Sequence, residues 1–373
     1  MRRARLAAVV VAVGVAFTLG VLPLRQGDPA PFGSRTLAFA CDGGICVWDG
    51  EDDTPRVVTR VGGGYATHPM WSPDGARLAF IHTHDRTDDP SIRPRHDLYA
   101  MDADGSDRVR VVAGVADAIY GVPFAWAPDA TRLAVSVEAR GSRGRANTHE
   151  RAVLGLHGAL ELVDVTGGAR RRLTTTALFD GHPGWINPRE VVYARVRPPH
   201  EFPLRPPQPY EVRVIDSVSG RDRRVQRRRG DFLDLVASPD GRQAAVLSGV
   251  HVFGLNLESG RQTALLRRPP LIQAAWSADS RLLALNGPVI INPRTKRLRR
   301  AVTSDDCFDP AWSPDGRWLV CDVTYGEEDE KRRGGYDLVL VNPLTGARVT
   351  LTDSATARHA SWRPATAGAE SFE

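Results

Sequence analysis

The pentapeptide Trp-Ser-Pro-Asp-Gly occurs twice in this chain of 373 residues, at 71–75 and again at 312–316. Proline presets φ in such a corner, aspartate bonds to the turn backbone, and glycine adopts a positive φ. Weaker copies begin at residues 126, 185, 237, 276 and 362, with alanine in place of tryptophan at 237. Seven corners at intervals of 36 to 59 residues predict an internal repeat. The recurrence favours a structural role for the corner tryptophan, packed between neighbouring units, over a role in an active site.

Short strands are predicted around every corner. An apolar segment follows the corner, as in "RLAFIH" at 77–82, and a further segment ends in a polar turn, as in "DLYAMDADG" at 97–105. Apolar residues alternate with polar ones and the turns are centred on glycine, which is typical of strands, and no segment has helical periodicity. Together with the segment that leads into each corner, the pattern predicts four antiparallel strands per repeat. Such units are typical of the blades of a β-propeller.

The two ends of the repeat region complement each other. Residues 35–60 contain a second, a third and a fourth strand but no first, whereas 358–363 contain a first strand only. We therefore expect an all-β, seven-bladed β-propeller over residues 35–363, closed by pairing of strand 358–363 with the N-terminal blade. Closure of this kind leaves no open edge between the first and last blades. Residues 364–373 are expected to form a flexible tail.

The N-terminus is predicted to direct export. Three arginines in "MRRAR" precede an uncharged apolar run at 6–22, and they favour a cytoplasmic N-terminus with the rest of the chain outside. The run is long for the apolar part of a signal peptide and slightly short for a membrane span, and no small-x-small cleavage site follows it. Residues 1–25 are interpreted as a signal peptide or an uncleaved membrane anchor, and 26–34 as a linker. The protein is accordingly expected to be extracytoplasmic, either membrane-anchored or secreted.

Four cysteines fit an oxidising compartment. Cys41 and Cys46 flank a predicted two-residue Gly-Gly turn, which would place them opposite each other in a hairpin. Cys307 and Cys321 flank the second Trp-Ser-Pro-Asp-Gly corner and could face each other across two strands. Four cysteines allow three pairings, of which the two local pairs are preferred. Four buried free thiols are the alternative.

The blocks "HPMWSPDGARLAFIH" and "DLYAMDADGSDRVRVV" resemble the TolB-type, WD-repeat-like, β-propeller repeat. The resemblance extends over essentially all of 35–363 and is most specific in the second and seventh blades. It implies a propeller fold. TolB itself carries an α/β domain ahead of a propeller with fewer blades, and we expect no such domain in this chain. The resemblance therefore does not imply the role of TolB in envelope assembly.

Polar residues recur three positions before the corners, on segments predicted to be the innermost strands of the blades. Six corners have histidine, aspartate or glutamine there, and the remaining one has Pro123. We expect the polar side chains to line the central channel and to bind a ligand; they are His68, His182, Asp234, Gln273, Asp309 and His359. Because imidazole and carboxylate bind divalent metals, His68, Asp309 and His359 of three consecutive blades form a candidate metal site. A water-filled polar channel is the alternative, and no catalytic residue is assigned.

Four long insertions are predicted to crowd one rim of the propeller. They lie between the second and third strands of their blades, at 83–96, 138–157, 196–209 and 324–335. In an up-and-down blade, loops at this position leave on the same side as the connections between blades. Long loops on a rigid scaffold commonly carry binding functions, so this rim is the expected contact surface.

The sequence favours a binding protein without a resident cofactor over an enzyme. The arginine clusters at 221–230 and 294–300 lack interleaved aromatic residues, so nucleic acid is not an expected partner despite a net charge of +5. The expected partner is a protein or a cell-envelope component, bound by a monomer that meets the membrane only through an uncleaved N-terminal segment. The alternative is a metal-dependent polysaccharide lyase or hydrolase, since some polysaccharide lyases are metal-dependent seven-bladed propellers. Unperturbed histidines titrate at about pH 6.5, so mild acidification is expected to affect binding.

Overall fold

The computed structural model describes most of the chain and shows an all-β protein. In the described residues it contains 28 strands and no helix, so none of these segments is a helix that could cross a membrane. The predicted leader at 1–25, the linker at 26–34 and most of the predicted tail lie outside the described residues. The description covers residues 35–50, 54–85, 94–116, 122–138, 158–175, 178–196, 208–249, 251–267, 273–287, 289–300, 307–324 and 335–365.

The strands are arranged in antiparallel units of four. The first sheet contains, in hydrogen-bonded order, β28 (Arg358–Trp362), β1 (Leu37–Cys41), β2 (Gly44–Trp48) and β3 (Arg56–Arg60). The second contains, in order, β4 (Gly64–Trp71), β5 (Arg77–His84), β6 (His96–Asp102) and β7 (Val109–Ala113).

An eight-stranded sheet follows, and it consists of two such units. One unit contains β8 (Phe124–Trp126), β9 (Arg132–Glu138), β10 (Gly158–Asp164) and β11 (Arg170–Arg172). The other contains β12 (Phe179–Trp185), β13 (Glu190–Val196), β14 (Pro209–Asp216) and β15 (Asp222–Arg229). A single parallel pair, Gly158 opposite Phe179, joins β10 to β12.

Three further four-stranded sheets complete the described structure. The first contains β16 (Phe232–Ala237), β17 (Gln243–Ser248), β18 (His251–Asn256) and β19 (Gln262–Arg267). The second contains β20 (Ala274–Trp276), β21 (Leu283–Leu285), β22 (Val289–Ile291) and β23 (Leu298–Arg300). The third contains β24 (Phe308–Trp312), β25 (Leu319–Thr324), β26 (Tyr336–Val341) and β27 (Arg348–Thr350).

The strand predicted at 358–363 lies in the N-terminal sheet. Strand β28 pairs antiparallel with β1, with Trp362 opposite Leu37 and Arg358 opposite Ala40. The first sheet is therefore built from both ends of the described chain, and β28 supplies the strand that residues 35–60 lack.

The first strand of each unit contacts the first strand of a neighbouring unit, and we call these seven strands (β28, β4, β8, β12, β16, β20 and β24) the inner strands. Each corner tryptophan donates its indole N–H to the backbone carbonyl just before the corresponding corner of the preceding unit. The bonds are Trp71 to Ser361, Trp126 to Met70, Trp185 to Ala125, Trp276 to Val236, Trp312 to Ala275 and Trp362 to Ala311, at 3.0 to 3.3 Å. Ala237 has no indole, so the contact between β12 and β16 lacks this bond. The corner tryptophan thus joins units, as its recurrence predicts.

The core lies between neighbouring sheets, because the two faces of a strand pack in opposite directions. Leu37 and Phe39 of β1 belong to a buried cluster with Leu338 of β26. Ala38, between them, belongs to another cluster with Phe80 of β5. The first sheet is therefore covered on one face by the last unit of the chain and on the other by the second.

The corner turns have the hydrogen bonds that their sequence predicts. In the first corner Ser72 Oγ donates to Asp74 Oδ1 at 2.5 Å, and the same oxygen accepts the Ala76 amide at 3.0 Å. Gly75 has a φ of +68°. The serine–aspartate bond recurs in the pairs Ser238–Asp240, Ser277–Asp279 and Ser313–Asp315. The hydrogen-bonding groups at this end of the inner strands are therefore paired by residues of the same turn.

Two disulfide bonds are present, one between β1 and β2 and one between β25 and the residue just before β24. The structure joins Cys41 to Cys46, with Cα atoms 5.8 Å apart, and Cys307 to Cys321, with Cα atoms 5.0 Å apart. These are the two local pairs preferred from the sequence. Such pairing is compatible with an oxidising compartment.

The hairpin of the first disulfide differs from its prediction. The expected Gly-Gly turn is wrong by one residue, since the two turn residues are Asp42 and Gly43, with φ of +38° and +76°. Gly44 already belongs to β2 and pairs with Cys41, so the two cysteines do not lie directly opposite each other. Asp-Gly is a preferred sequence for a two-residue hairpin turn. A side chain at Gly44 would collide with the Thr59 carbonyl, 2.2 Å from its Cβ position, which explains a glycine within the strand.

Candidate ligand-binding site

Four of the predicted site residues occupy bulges in the inner strands. The strand register shifts beside each of them, for example between Thr67 and Met70 in β4 and between Phe308 and Ala311 in β24. Their φ values are +51° for His68, +53° for His182, +44° for Asp309 and +55° for His359. Positive φ is uncommon for residues other than glycine, and a bulge redirects the side chain of the extra residue. The inner strands thus depart from regular geometry at the positions that the sequence singles out.

The two remaining predicted residues are placed differently from each other. Asp234 lies beside a register shift of β16. Gln273, like Pro123, was expected on an inner strand but lies just before one, because β20 and β8 are only three residues long. Gln273 Oε1 accepts a hydrogen bond from Asn286 Nδ2 of its own sheet at 2.7 Å. Its described hydrogen bond thus stays within its own sheet.

Three inner strands bring His68, Asp309 and His359 together. The imidazole rings of His68 and His359 stack with their centroids 3.9 Å apart. His359 Nε2 lies 3.5 Å from Asp309 Oδ2. Asp322 of β25 joins them, and its two carboxylate oxygens accept the backbone amide of His359 at 3.1 and 2.9 Å. We call these four residues the mouth cluster.

Asp322 is a site residue that the three-residue spacing from the corners misses. It is only 1% exposed, and it interrupts the apolar segment "WLVCDV". A carboxylate in a buried strand costs free energy unless it is partnered. An acidic residue inside an otherwise apolar strand was therefore the signal that could have identified it.

The carboxyl groups of the mouth cluster hold protons more tightly than usual. Burial raises the pKa of Asp309 to about 7, the negative charge of Asp234 adds to the rise, and the positive charge of Arg358 opposes it. Burial and the nearby charge of Asp309 also raise the pKa of Asp322 well above its usual range, against the effect of the His359 amide. Protonated carboxyls are thus favoured here at a pH where exposed carboxyls are ionised.

The histidines of the mouth cluster resist protonation. Burial lowers the pKa of His68 to about 4, and the positive charges of Arg358 and His96 lower it further. Burial, His68 and Arg358 together lower the pKa of His359 well below its usual range. The expectation that these two histidines titrate on mild acidification is therefore wrong, because desolvation and neighbouring cations disfavour the imidazolium.

A second buried pair lies at the contact between β12 and β16. His182 Nδ1 and Asp234 Oδ1 are 2.7 Å apart, and the same oxygen accepts the Leu235 amide at 2.7 Å. His182 is 5% exposed and packs edge-on against the ring of Phe232. This pair bridges the two units that no corner indole joins.

The mouth cluster offers ligands for a cation. One ligating atom from each of Asp309, Asp322 and His359 lies within 4.8 Å of the other two, and this is the one such group among the residues that the structure describes. The Nδ1 atom of His359 is buried and has no hydrogen-bond partner. Carboxylate oxygen and imidazole nitrogen suit a divalent metal, so the residues fit. His68 is outside the group, and a metal bound by His68, Asp309 and His359 stays a prediction.

The predicted long insertions leave the sheets at one end of the inner strands. They connect β5 to β6, β9 to β10, β13 to β14 and β25 to β26, and most of each insertion lies outside the described residues. Antiparallel strands alternate in direction, so these connections lie at the ends where the inner strands begin. We call these ends the mouth rim and the opposite ends, with the corner turns, the corner rim.

Comparison with known proteins identifies solved structures with a similar fold. No family model and no curated protein matches the chain in sequence. Two structures of oligogalacturonate lyase, one from Vibrio parahaemolyticus and one in complex with manganese, are 15% and 17% identical, with TM-scores of 0.60 and 0.59. Both matches cover 83% of this chain and 86% of the other.

Two propeller proteins are also similar. The β-propeller domain of the Trilobed protease from Pyrococcus furiosus is 12% identical with a TM-score of 0.55, and the match covers 88% of this chain and 95% of that domain. TolB from Acinetobacter baumannii is 13% identical with a TM-score of 0.48, covering 91% of this chain and 69% of TolB. At these identities the likeness concerns the fold alone, which is that of a β-propeller.

Proposed function

We propose that the protein is an extracytoplasmic, seven-bladed β-propeller that binds a protein or another cell-envelope component at its mouth rim. In this proposal residues 1–25 direct export and either are removed or anchor the chain, and 26–34 form a linker. Residues 35–363 form one closed ring, and 364–373 form a tail.

The closed ring is supported by strand pairing and by the tryptophan bonds. The 28 strands correspond to seven units of four. Trp71 of the second unit bonds to Ser361 of β28, which belongs to the first. Trp362 of the first unit bonds in turn to Ala311 of the last. A series of contacts that returns to its starting unit is what a closed propeller requires.

The mouth cluster is the observation that carries the binding proposal. Positive φ holds His68, Asp309 and His359 in backbone conformations that cost about 1–3 kcal/mol each. Burial also raises the pKa of two carboxyls and lowers that of two imidazoles in this cluster. Groups that cost stability in this way are typical of functional sites. The long insertions leave at the same end of the strands, where they can add contact area.

Binding at the mouth rim can be tested by shortening one insertion. We expect a variant with a short Gly-Ser linker in place of 197–207 to lose its partner from a cell-envelope extract, with an unchanged thermal unfolding temperature. Ser219→Ala, in a turn of the corner rim, is the matched control and should retain the partner. Loss of the partner in the control but not in the shortened variant would place the contact on the opposite rim.

Export can be tested separately. Fractionation of cells that express the full chain should recover it in the membrane or outside the cytoplasm. Recovery as a soluble cytoplasmic protein with an intact N-terminus would contradict the proposal.

The second candidate function is that of a metal-dependent polysaccharide lyase or hydrolase. Its support is the group of Asp309, Asp322 and His359, together with a fold similar to that of an oligogalacturonate lyase in complex with manganese. A bound metal would supply Lewis-acid chemistry there. The bulges in β24 and β28 would hold the ligands Asp309 and His359 in place.

Metal content distinguishes the two functions. The enzyme reading predicts stoichiometric metal by mass spectrometry in the purified protein, and its loss in His359→Ala and Asp322→Asn. His251→Ala, on a third strand of another unit, is the control and should keep the metal. Unchanged metal in all three variants, or no metal in the purified protein, would reject this candidate.

A further inference from the structure

Arg358 lies between two tyrosines at the mouth rim. Its guanidinium carbon is 5.2 Å from the ring centroid of Tyr65 and 5.6 Å from that of Tyr336. Arg358 begins β28, Tyr65 lies in β4 and Tyr336 begins β26, so the three side chains come from three adjacent sheets. Guanidinium groups stack favourably on aromatic faces, and this stacking orders the arginine side chain.

Among the residues that the structure describes, this arginine forms no direct ion pair, although its charge acts from further away on Asp309 and Asp322. Two other partly buried arginines are paired with carboxylates: Arg195 bonds to Asp180 at 2.7 Å, and Arg213 bonds to Glu211 at 2.6 Å. Arg358 is also partly buried, yet its described contacts are the two aromatic rings. A cation that is partly removed from water without a counter-ion is stabilised by an anion that reaches it.

The same three side chains line a pocket of about 330 Å³. Thr356 and Asp42 also contribute to its wall. This volume is within the range of about 300–1,000 Å³ that is usual for small-molecule sites. The pocket therefore combines an unpaired guanidinium with hydroxyl groups and room for a ligand.

We propose that this pocket binds a small ligand through its carboxylate, with Arg358 as the donor. The planar guanidinium offers two parallel N–H groups, which match the two oxygens of a carboxylate. The inference rests on the proposed ligand-binding role of the mouth rim and names the chemistry that the rim recognises. The ligand is either a sugar acid or an amino acid or short peptide, since both present a carboxylate beside hydrogen-bond donors.

The charge of the pocket favours a carboxylate over a phosphate. Asp42 lies in the wall, and its carboxylate is bonded to Arg60 at 3.3 Å. A phosphate monoester carries a charge of about −1.5 to −2 at neutral pH. One arginine beside an acidic group can balance the single negative charge of a carboxylate, but not the nearly two negative charges of a phosphate monoester. Asp42 in turn can accept a hydrogen bond from a hydroxyl or ammonium group of the ligand.

Calorimetric titration of the full chain tests the proposal. The probes are D-glucuronate and the dipeptide Ala-Ala, and the counterparts that lack the carboxylate are D-glucose and Ala-Ala amide. We expect at least one acid to bind, its carboxylate-free counterpart not to bind, and Arg358→Gln to raise Kd by about 10-fold or more. Arg358→Lys keeps the charge without the planar fork and should raise Kd by less. Arg297→Gln, an exposed arginine of the corner rim, is the matched control and should leave Kd unchanged.

A second variant keeps the test informative if Arg358→Gln unfolds. Tyr65 is 41% exposed, so Tyr65→Leu should fold, and it should weaken binding because it removes one of the stacked rings. Binding of glucuronate alone or of the dipeptide alone would support the proposal and identify the source of the carboxylate. Three results would overturn the proposal. They are tighter binding of methyl phosphate than of either acid, unchanged binding in Arg358→Gln or Tyr65→Leu, and no binding of either acid.

The outcome is separable from that of the proposed function. If the shortened 197–207 variant loses the envelope partner but neither acid binds, the proposed binding function is supported and the carboxylate pocket is rejected. Carboxylate binding through Arg358, with no partner that depends on the mouth rim, would support the pocket and reject the partner.

Discussion

The two rims of the molecule are built from the same inner strands but treat their polar groups differently. On the corner rim, Asp74 accepts hydrogen bonds from Ser72 and from the Ala76 amide within one turn. In the mouth cluster, His359 Nδ1 is buried without a partner and its Nε2 atom lies 3.5 Å from Asp309. The polar groups of this corner are hydrogen-bonded by neighbours in sequence, whereas those of the mouth cluster contact residues from other sheets.

The two regions also shift carboxyl groups in opposite directions. Burial acts to raise the pKa of Asp74, but the bonds from Ser72 and the Ala76 amide outweigh it, and the pKa is lowered. In the mouth cluster the pKa of Asp309 rises to about 7. A lowered carboxyl pKa stabilises the folded state above the unfolded pKa, whereas a raised one opposes folding there. The carboxyl groups at the corner end of the inner strands therefore favour folding, whereas those at the mouth end oppose it and serve no purpose in folding itself.

Removal of the whole inner strand β28 should destabilise the protein most strongly. Deleting 356–373 takes away β28, and with it the buried Trp362 and the site residue His359. We expect the folded state to be lost, because β1 loses its partner and two indole-bonded contacts disappear. Circular dichroism during heating should show no cooperative transition. Deleting only 366–373 is the control, and a normal transition in the longer deletion would contradict the role of β28.

A substitution in a single corner turn should destabilise the protein less than loss of a strand. Gly241 has a φ of +69°, and a Cβ there would lie 1.8 Å from the Ile186 carbonyl oxygen. We expect Gly241→Ala to destabilise the protein by about 2 kcal/mol or more in urea unfolding, since the backbone must move. Ala130 occupies the equivalent position with a φ of +57°, so Ala130→Gly is the control and should change stability by less than about 1 kcal/mol. Equal effects of the two substitutions would show that the corner is not constrained.

The mouth end should respond to pH with a defined sign. The folded pKa of Asp309 is about 7, above its ordinary value of 3.8. Its contribution to stability is therefore fully present below the ordinary value and is lost as pH rises toward 7. We expect Asp309→Asn to gain unfolding temperature relative to the wild type between about pH 4 and pH 7.5, measured with EDTA present. A difference that does not change with pH would contradict the raised pKa.

The effect of a His68 substitution on the unfolding temperature should depend on pH in the opposite direction. Its folded pKa of about 4 lies below the ordinary value of 6.5. The stability that it contributes is present above 6.5 and is lost as pH falls toward 4. His68→Gln should therefore gain unfolding temperature relative to the wild type as the pH is lowered. The same direction of change for His68→Gln and Asp309→Asn would contradict the electrostatic account of the cluster.

Substitution of an exposed turn residue on the corner rim should change stability very little. Asp104 accepts bonds from the amide and the hydroxyl of Ser106, which lower its pKa. Asp104→Ala should lower the unfolding temperature only slightly, because solvent screens an exposed carboxylate. It should leave carboxylate binding in the calorimeter unchanged. A large loss of binding would place the ligand on the corner rim.

Much of the local structure was predictable because its causes lie within a few residues. The sequence Trp-Ser-Pro-Asp-Gly specifies its own turn through proline, the aspartate bonds and a glycine at positive φ. The alternation of apolar residues predicted the strands, and the missing first strand of residues 35–60 predicted where 358–363 would pair. The error at the first hairpin was also local, since Asp-Gly and Gly-Gly both form two-residue turns.

Spacing from the corners identified polar positions but not their neighbours. His68, Asp309 and His359 meet as expected, whereas Gln273 bonds within its own sheet because its inner strand is short. The expectation that His68 and His359 titrate at their ordinary pKa was wrong, because their burial arises only when the sheets pack together.

The repeat, the strands, the corners and the polar positions on the inner strands could be recognised without a structure, since each follows from chemistry between near neighbours in the chain. The contact of Asp322 with His359 and the stacking of Arg358 between Tyr65 and Tyr336 arise only in the folded protein. Those contacts link separate sheets, and bulges set the direction of His359 and the residues equivalent to it. Side chains far apart in sequence meet only through the packing of whole blades, which no local pattern encodes.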